Sequence, residues 1–148
     1  MARILVIDDE ESVCWAFERF LKSEGHEVAT TPTAEEGLSL LDRDPVDIVF
    51  LDVRLPGMDG MSALEKIGEK HAGLHVVVIT AHGTMDTAIE AVQRGAFDYL
   101  IKPVELAQIR DIISRSLESR DHAGDVLELQ AQADMASAEV DAASPRPW

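Results

Sequence analysis

Ile4-Leu5-Val6-Ile7-Asp8 is an unbroken apolar run of strand length that ends on a carboxylate, and the same design returns at Ile48-Val49-Phe50-Leu51-Asp52 and Val76-Val77-Val78-Ile79-Thr80. A strand with one wet face alternates apolar and polar residues. Continuous runs instead fit strands of a parallel sheet covered on both faces. Weaker strand segments lie at Glu27 to Thr30 and Asp98 to Ile101.

Helical patterns fill the intervals. Val13, Ala16, Phe17, Phe20 and Leu21 recur at helix spacing, and Gly25 follows as a stop. Thr33-Ala34-Glu35-Glu36 reads as a capping box that opens a second helix through Leu38 and Leu41. Leu64 and Ile67 mark a third helix, and a fourth runs from about Thr84 to Arg94 before Gly95. A fifth starts near Glu105, with Leu106, Ile109, Ile113 and Leu117 on one face. Strand and helix thus alternate five times. Right-handed crossovers turn this alternation into an α/β, flavodoxin-like, doubly wound parallel sheet of order 2-1-3-4-5 with five helices.

The 148 residues and a 46% hydrophobic content suit one domain with a real core. Beyond about Arg120 the composition shifts to Ala, Asp, Glu and Gln, and Pro145 and Pro147 close the chain. This sets 1–120 as the domain and 121–148 as an acidic, Ala-rich extension or linker. Val126, Leu127 and Leu129 allow the fifth helix to continue, although Gly124 weakens that case. With 13 basic against 28 acidic residues, the net charge of −15 repels phosphate backbones, so direct nucleic-acid binding by this chain is not expected. No apolar run reaches bilayer length, and Met1-Ala2-Arg3 enters the first strand without a signal-peptide pattern. The expectation is a cytoplasmic protein with no membrane partner. Cys14 stands alone, and none of the five His residues has metal-ligand spacing.

In an open α/β sheet, ligands bind at the carboxyl ends of the strands, beside the reversal of strand order. Those ends carry Asp8, Asp9 and Glu10 after the first strand, Asp52 after the third, Thr80 after the fourth and Lys102 after the fifth. Strands 1, 3, 4 and 5 are contiguous in the predicted order, so these side chains converge. Crowded carboxylates repel unless a cation sits among them, and Mg²⁺ combines carboxylates with phosphate oxygens. Lys102 and the Thr80 hydroxyl add a charge and a donor for a phosphoryl group, and one carboxylate beside them is placed to attack phosphorus.

The chain resembles the receiver domain of two-component response regulators. The likeness spans about residues 2–120 and rests on four segments: Ile4-Leu-Val-Ile-Asp-Asp-Glu10, Leu51-Asp-Val-Arg-Leu-Pro-Gly-Met-Asp-Gly60, Ile79-Thr-Ala-His82 and Gly95-Ala-Phe-Asp-Tyr-Leu-Ile-Lys-Pro103. Thr80 to Tyr99 further resembles the nitrogen-regulatory (sigma-54 activator) subclass, whose receivers control an ATPase domain and a DNA-binding domain. This chain shows neither a phosphate-loop motif nor a basic recognition helix after residue 120. The resemblance implies that Asp52 is the phosphoacceptor, Asp9 a direct Mg²⁺ ligand and Asp8 a second acidic-pocket residue acting mainly through water. It implies the main-chain carbonyl of Arg54 as a further metal ligand, Thr80 and Tyr99 as a switch pair, and Lys102 as the holder of the phosphoryl oxygens. The Lys102-Pro103 peptide is expected to be cis, and Gly60 and the Pro56-Gly57 turn to shape the loop after Asp52. A sensor histidine kinase is the implied partner, with homodimerisation on phosphorylation. The resemblance also places His82 and Arg54 at positions that in the family modulate the phosphoryl lifetime, and Trp15, off the stripe of the first helix, is expected to be a partly exposed ring near the kinase-docking side of such domains.

Blander readings exist for each piece. Acidic pairs are common helix caps, Thr80 can cap the fourth helix, Tyr99 can be an ordinary strand aromatic, and Cys14 reads as a small packed residue. Two other functions compete. A phosphohydrolase of the haloacid-dehalogenase kind also forms an aspartyl phosphate, but its nucleophile lies in an Asp-x-Asp pattern after the first strand, which Asp8-Asp9-Glu10-Glu11 lacks. A flavodoxin-like nucleotide carrier needs a phosphate-cradling loop where this chain has four acids. The resulting expectation is a regulator and not an enzyme acting on external substrates, with at most Mg²⁺-dependent phosphorylation and dephosphorylation of itself.

Overall fold

The computed structural model describes residues 2–81 and 85–119. The expected segment 121–148, the His82 position and the first residue of the predicted fourth helix lie outside the described residues. The described residues divide after Arg110, so that 2–110 form a first unit.

In the first unit, strand β1 (Arg3–Ile7) is followed by α1 (Glu11–Ser23), β2 (Glu27–Thr31), α2 (Ala34–Arg43) and β3 (Ile48–Asp52). Then come α3 (Gly60–Lys70), β4 (His75–Thr80), α4 (Met85–Gln93) and β5 (Asp98–Ile101). A fifth helix, α5, covers 106–119. All strand pairs are parallel, in the order β2-β1-β3-β4-β5. This is the expected doubly wound sheet.

Burial explains why three strands are so plain in the sequence. In β3 every residue is buried, and in β1 and β4 only the first is not. The outer strands β2 and β5 are each covered by one neighbour and keep polar and half-exposed positions, so their runs are mixed. Alternate residues of the central strands serve opposite faces. Leu5, Ile7, Val49, Leu51, Val76 and Val78 pack with Ala34, Leu41, Ala63, Leu64, Ile67 and Ala91 of α2, α3 and α4. On the other face Phe50 meets Phe17 of α1, with ring centroids 5.1 Å apart and the rings tilted by 51°.

Helix ends follow the local chemistry. The Thr33 side chain accepts the Glu36 amide at 3.2 Å, as the capping box predicts. Asp59 does the same for Ser62 at 2.8 Å and starts α3. Gly25, beyond α1, takes a left-handed φ of 88°, and its amide closes on the Lys22 carbonyl.

The predicted stripe of α5 is rotated in the structure. Ile109, Ile112, Ile113 and Ser116 are buried, at i, i+3, i+4 and i+7, whereas Leu106 is 50% exposed. Leu106 is the first residue of the helix, and Ile112 takes the buried place assigned to it. No helix among the described residues is long and apolar enough to cross a membrane.

Phe50 is fully buried at the centre of the sheet. Phe50→Ala is expected to lower the unfolding free energy by about 3–5 kcal/mol, read from urea denaturation midpoints, whereas removing the exposed ring of Trp15 should shift the midpoint little.

Candidate functional site

Three strand ends build the site. Asp8 follows β1, and its amide donates to the Thr31 carbonyl at 3.0 Å, which extends the β1 ladder by one residue. Its Oδ1 accepts the Glu10 amide at 2.9 Å. This tight turn leaves the Asp8 side chain buried and sends Asp9 out to solvent. Asp52 closes β3, 3% exposed, and its Oδ1 accepts the Arg54 amide at 2.9 Å. Thr80 closes β4 and is buried, and its carbonyl accepts the Lys102 amide at 2.8 Å.

Lys102 gathers these ends. Its Nζ lies 2.8 Å from Glu10 Oε1, 3.0 Å from Asp8 Oδ2 and 3.2 Å from Asp52 Oδ2. The first and third contacts have hydrogen-bond geometry. The contact to Asp8 is an ion pair only, so Asp8 Oδ2 is buried without a hydrogen-bond partner. Burial would pull the Lys102 ammonium below its ordinary value, but its hydrogen bond to Glu10 and its pairing with the Asp8 and Asp52 carboxylates outweigh that and hold the proton on. Burial pushes the Asp8 carboxyl up to about 6. The Glu10 amide and Lys102 oppose that rise, and the Asp52 charge adds to it.

The loop after Asp52 is held by contact as well as by hydrogen bonds. Gly60 opens α3 against the end of β3, and its amide donates to the Val53 carbonyl at 3.0 Å. A Cβ at Gly60 would lie 2.3 Å from the Asp52 carbonyl oxygen and 2.4 Å from Val53 Cα, so no other residue fits without moving the strand end. The Lys102-Pro103 peptide is cis.

Of the residues singled out from the sequence, Asp8, Asp52 and Lys102 come together, and Thr80 joins through its backbone. Asp9 does not enter the group. Glu10 does: single oxygens of Asp8, Glu10 and Asp52 all lie within 4.8 Å of one another. Spacing alone cannot say which of three consecutive acids turns inward; the hydrogen bond from the Glu10 amide to Asp8 decides it here. Such a set of hard oxygen donors, with a buried oxygen lacking a donor, fits a small divalent cation. Arg54 is exposed, and only its backbone reaches Asp52. Tyr99 is 38% exposed on the outer strand β5. The register pairs it with Val78 and pairs Thr80 with Ile101, so Thr80 and Tyr99 stand diagonally on adjacent strands. The Tyr99 amide donates to Asp98 Oδ1 at 2.7 Å.

Cys14 matches its plain reading as a small packed residue, and Trp15 lies on the surface. The Cys14 thiol donates to the Asp8 carbonyl at 3.2 Å and burial pushes it up to about 11, far from a reactive thiolate. Trp15 is 62% exposed, with the Arg19 guanidinium 5.2 Å over its ring. Beside Lys102 lies a groove of about 450 Å³, walled by Val13, Ala16, Phe17, Pro103, Leu106 and Ile109.

Residues 4–114 match the response regulator receiver domain family. Among curated proteins, the chain is 40% identical over 118 residues to the alginate biosynthesis transcriptional regulatory protein AlgB of Pseudomonas aeruginosa, covering 80% of this chain and 26% of that protein. It is 37% identical over 112 residues to the DNA-binding transcriptional regulator NtrC of Klebsiella pneumoniae, covering 76% and 24%. The chain therefore spans about a quarter of the length of these relatives. Among solved structures, NtrX from Brucella abortus superposes with a TM-score of 0.82 at 35% identity, over 87% of this chain and 30% of that one. A CheY-like receiver domain protein from Methanospirillum hungatei gives 0.79 at 27% identity, over 83% and 98%.

The raised Asp8 carboxyl has a consequence for stability. Folding favours its protonated form, so in metal-free buffer its ionisation costs stability as pH rises from 3.8 towards 6. Asp8→Asn should then be more stable than the parent by about 1–3 kcal/mol at pH 7.5, with the gap closing towards pH 4. Urea midpoints across that range, in chelator, measure it.

Proposed function

This chain belongs to the response regulator receiver domain family, and from that premise we propose that it is the phosphoacceptor switch of a two-component system, with Asp52 taking the phosphoryl group. The observation that carries the reading is the meeting of buried Asp52 and Asp8 with the Lys102 ammonium at the strand ends. The domain is assigned to 1–120, with 121–148 an extension or linker, and the protein to the cytoplasm. Its donor is a sensor histidine kinase. The groove beside Lys102 and the exposed Trp15 support docking of a partner at that side.

In the transfer, an Asp52 carboxylate oxygen bonds to phosphorus while the bond from phosphorus to the donor imidazole nitrogen breaks, and the electron pair stays on nitrogen. Asp8, Asp52 and the main-chain carbonyl of Arg54, joined by Asp9 once it turns in from its exposed position, would hold Mg²⁺, which supplies charge neutralisation for the phosphoryl oxygens. Asp52 is fixed for attack because one of its oxygens is engaged by the Arg54 amide and the Gly60 contact leaves the strand end no slack. Lys102 carries a proton at all working pH values and can follow the charge onto the new phosphoryl oxygens. The Thr80 hydroxyl then turns to the same oxygens, and Tyr99 rotates inward from its exposed position.

The readout is the face of α4, β5 and α5. Ile89 and Val92 of α4, Tyr99 and Ile101 of β5 and Leu106 of α5 are exposed large apolar residues on these elements, which supports that reading. Homodimerisation, or control of a downstream transcription-activating effector, is the proposed outcome. The chain itself turns over only its own phosphoryl group.

Incubation with Mg²⁺ and acetyl phosphate, followed by intact mass, tests the acceptor. The parent should gain one phosphoryl group and Asp52→Asn none, with both folded by circular dichroism. Uptake by Asp52→Asn at the parental rate would exclude Asp52. Lys102→Ala should keep Mg²⁺ binding but lose the phosphorylation-dependent change in elution from a sizing column. An unchanged shift would remove Lys102 from the coupling.

A further inference from the structure

Glu10 stands at the N-cap of α1 and does not cap it. Its backbone is extended, with φ −88° and ψ 113°, and its carbonyl accepts the Val13 and Cys14 amides, but its side chain makes no capping bond. Short polar side chains at this position accept a first-turn amide. The longer Glu10 side chain instead crosses to Lys102 and makes the shortest of the three ammonium contacts, at 2.8 Å. The three carboxylates also differ in depth. The Asp8 and Asp52 side chains are 0% and 5% exposed, whereas that of Glu10 is 54% exposed.

The Lys102 ammonium fills the space between the two buried carboxylates. A divalent cation held by the same carboxylates and the ammonium repel each other at this separation, so Lys102 must shift outward when the cation enters. Its flexible stem allows the shift, yet an ammonium drawn from all its partners is costly in a site of low exposure. Resting on the reading of this pocket as a cation and phosphoryl site, we propose that Glu10 is a positioning residue. It retains Lys102 at the pocket mouth while the cation occupies the space between Asp8 and Asp52. Lys102 thereby stays within reach of the phosphoryl oxygens without opposing the cation at close range.

The test is calorimetric titration of Mg²⁺ into the full chain in four forms: parent, Glu10→Gln, Lys102→Met and the double variant, each checked for folding by circular dichroism. Glu10→Gln should weaken Mg²⁺ binding about five-fold in the parent background, the size of a partly exposed ion pair. With Lys102→Met present, the same substitution should change affinity by less than about two-fold, because the group it serves is gone. A loss that persists in the Lys102→Met background would make Glu10 a cation ligand or a remote charge and overturn the proposal. Unchanged or tighter binding by Glu10→Gln alone would overturn it too. Absence of Mg²⁺ binding by the parent would overturn the cation reading of the pocket itself, an outcome distinct from parental binding with additive variants, which overturns only the role of Glu10.

Discussion

Three carboxylates share one ammonium, and the arrangement of the strand ends depends on that sharing. Asp8 and Asp52 leave adjacent strands with their side chains buried, a placement that like charges resist. Lys102, supplied from the outer strand, makes it tolerable by lying within 3.2 Å of both. The compensation is incomplete. Asp8 keeps an oxygen without a hydrogen-bond donor and a carboxyl held up to about 6, so the pocket retains unspent affinity for a further cation. Sites that bind and release charge are built this way, with stability given up where function needs a gap.

The surrounding fold is what allows such a pocket to exist. A parallel sheet buried on both faces supplies strands whose bodies are held by apolar packing, leaving their last residues to carry chemistry. Gly60 shows how tightly that frame is drawn. The start of α3 approaches the last carbonyl of β3 so closely that a single methyl group would displace it. Asp52 is thus braced on one side by a helix and on the other by a hydrogen bond, whereas Lys102 and Glu10 come to the site on longer side chains.

Much of this was legible in the residues. The central strands are unmistakable because two-sided burial forbids polar residues within them, and the predicted bounds of β3 agree with the structure. Asp52, Asp8 and Lys102 were legible because strand order alone brings their positions together. The side-chain choice at the first loop was not. Asp9 and Glu10 have the same charge and neighbouring positions, and the difference lies in a turn made by one backbone amide. The stripe of α5 was displaced for a related reason: isoleucines at 109, 112 and 113 and leucines at 106 and 117 admit two overlapping apolar faces, and only packing selects one.

The small bond between the Tyr99 amide and the Asp98 carboxylate has a wider bearing. β5 is an outer strand with a neighbour on one side only, and bare amides on such a strand invite further strands from other chains. Here an acidic side chain already covers one of those amides and places negative charge along the rim. Ribbon-like growth of the sheet from chain to chain is discouraged, so a strand that leaves Tyr99 and Ile101 exposed need not become a nucleus for aggregation.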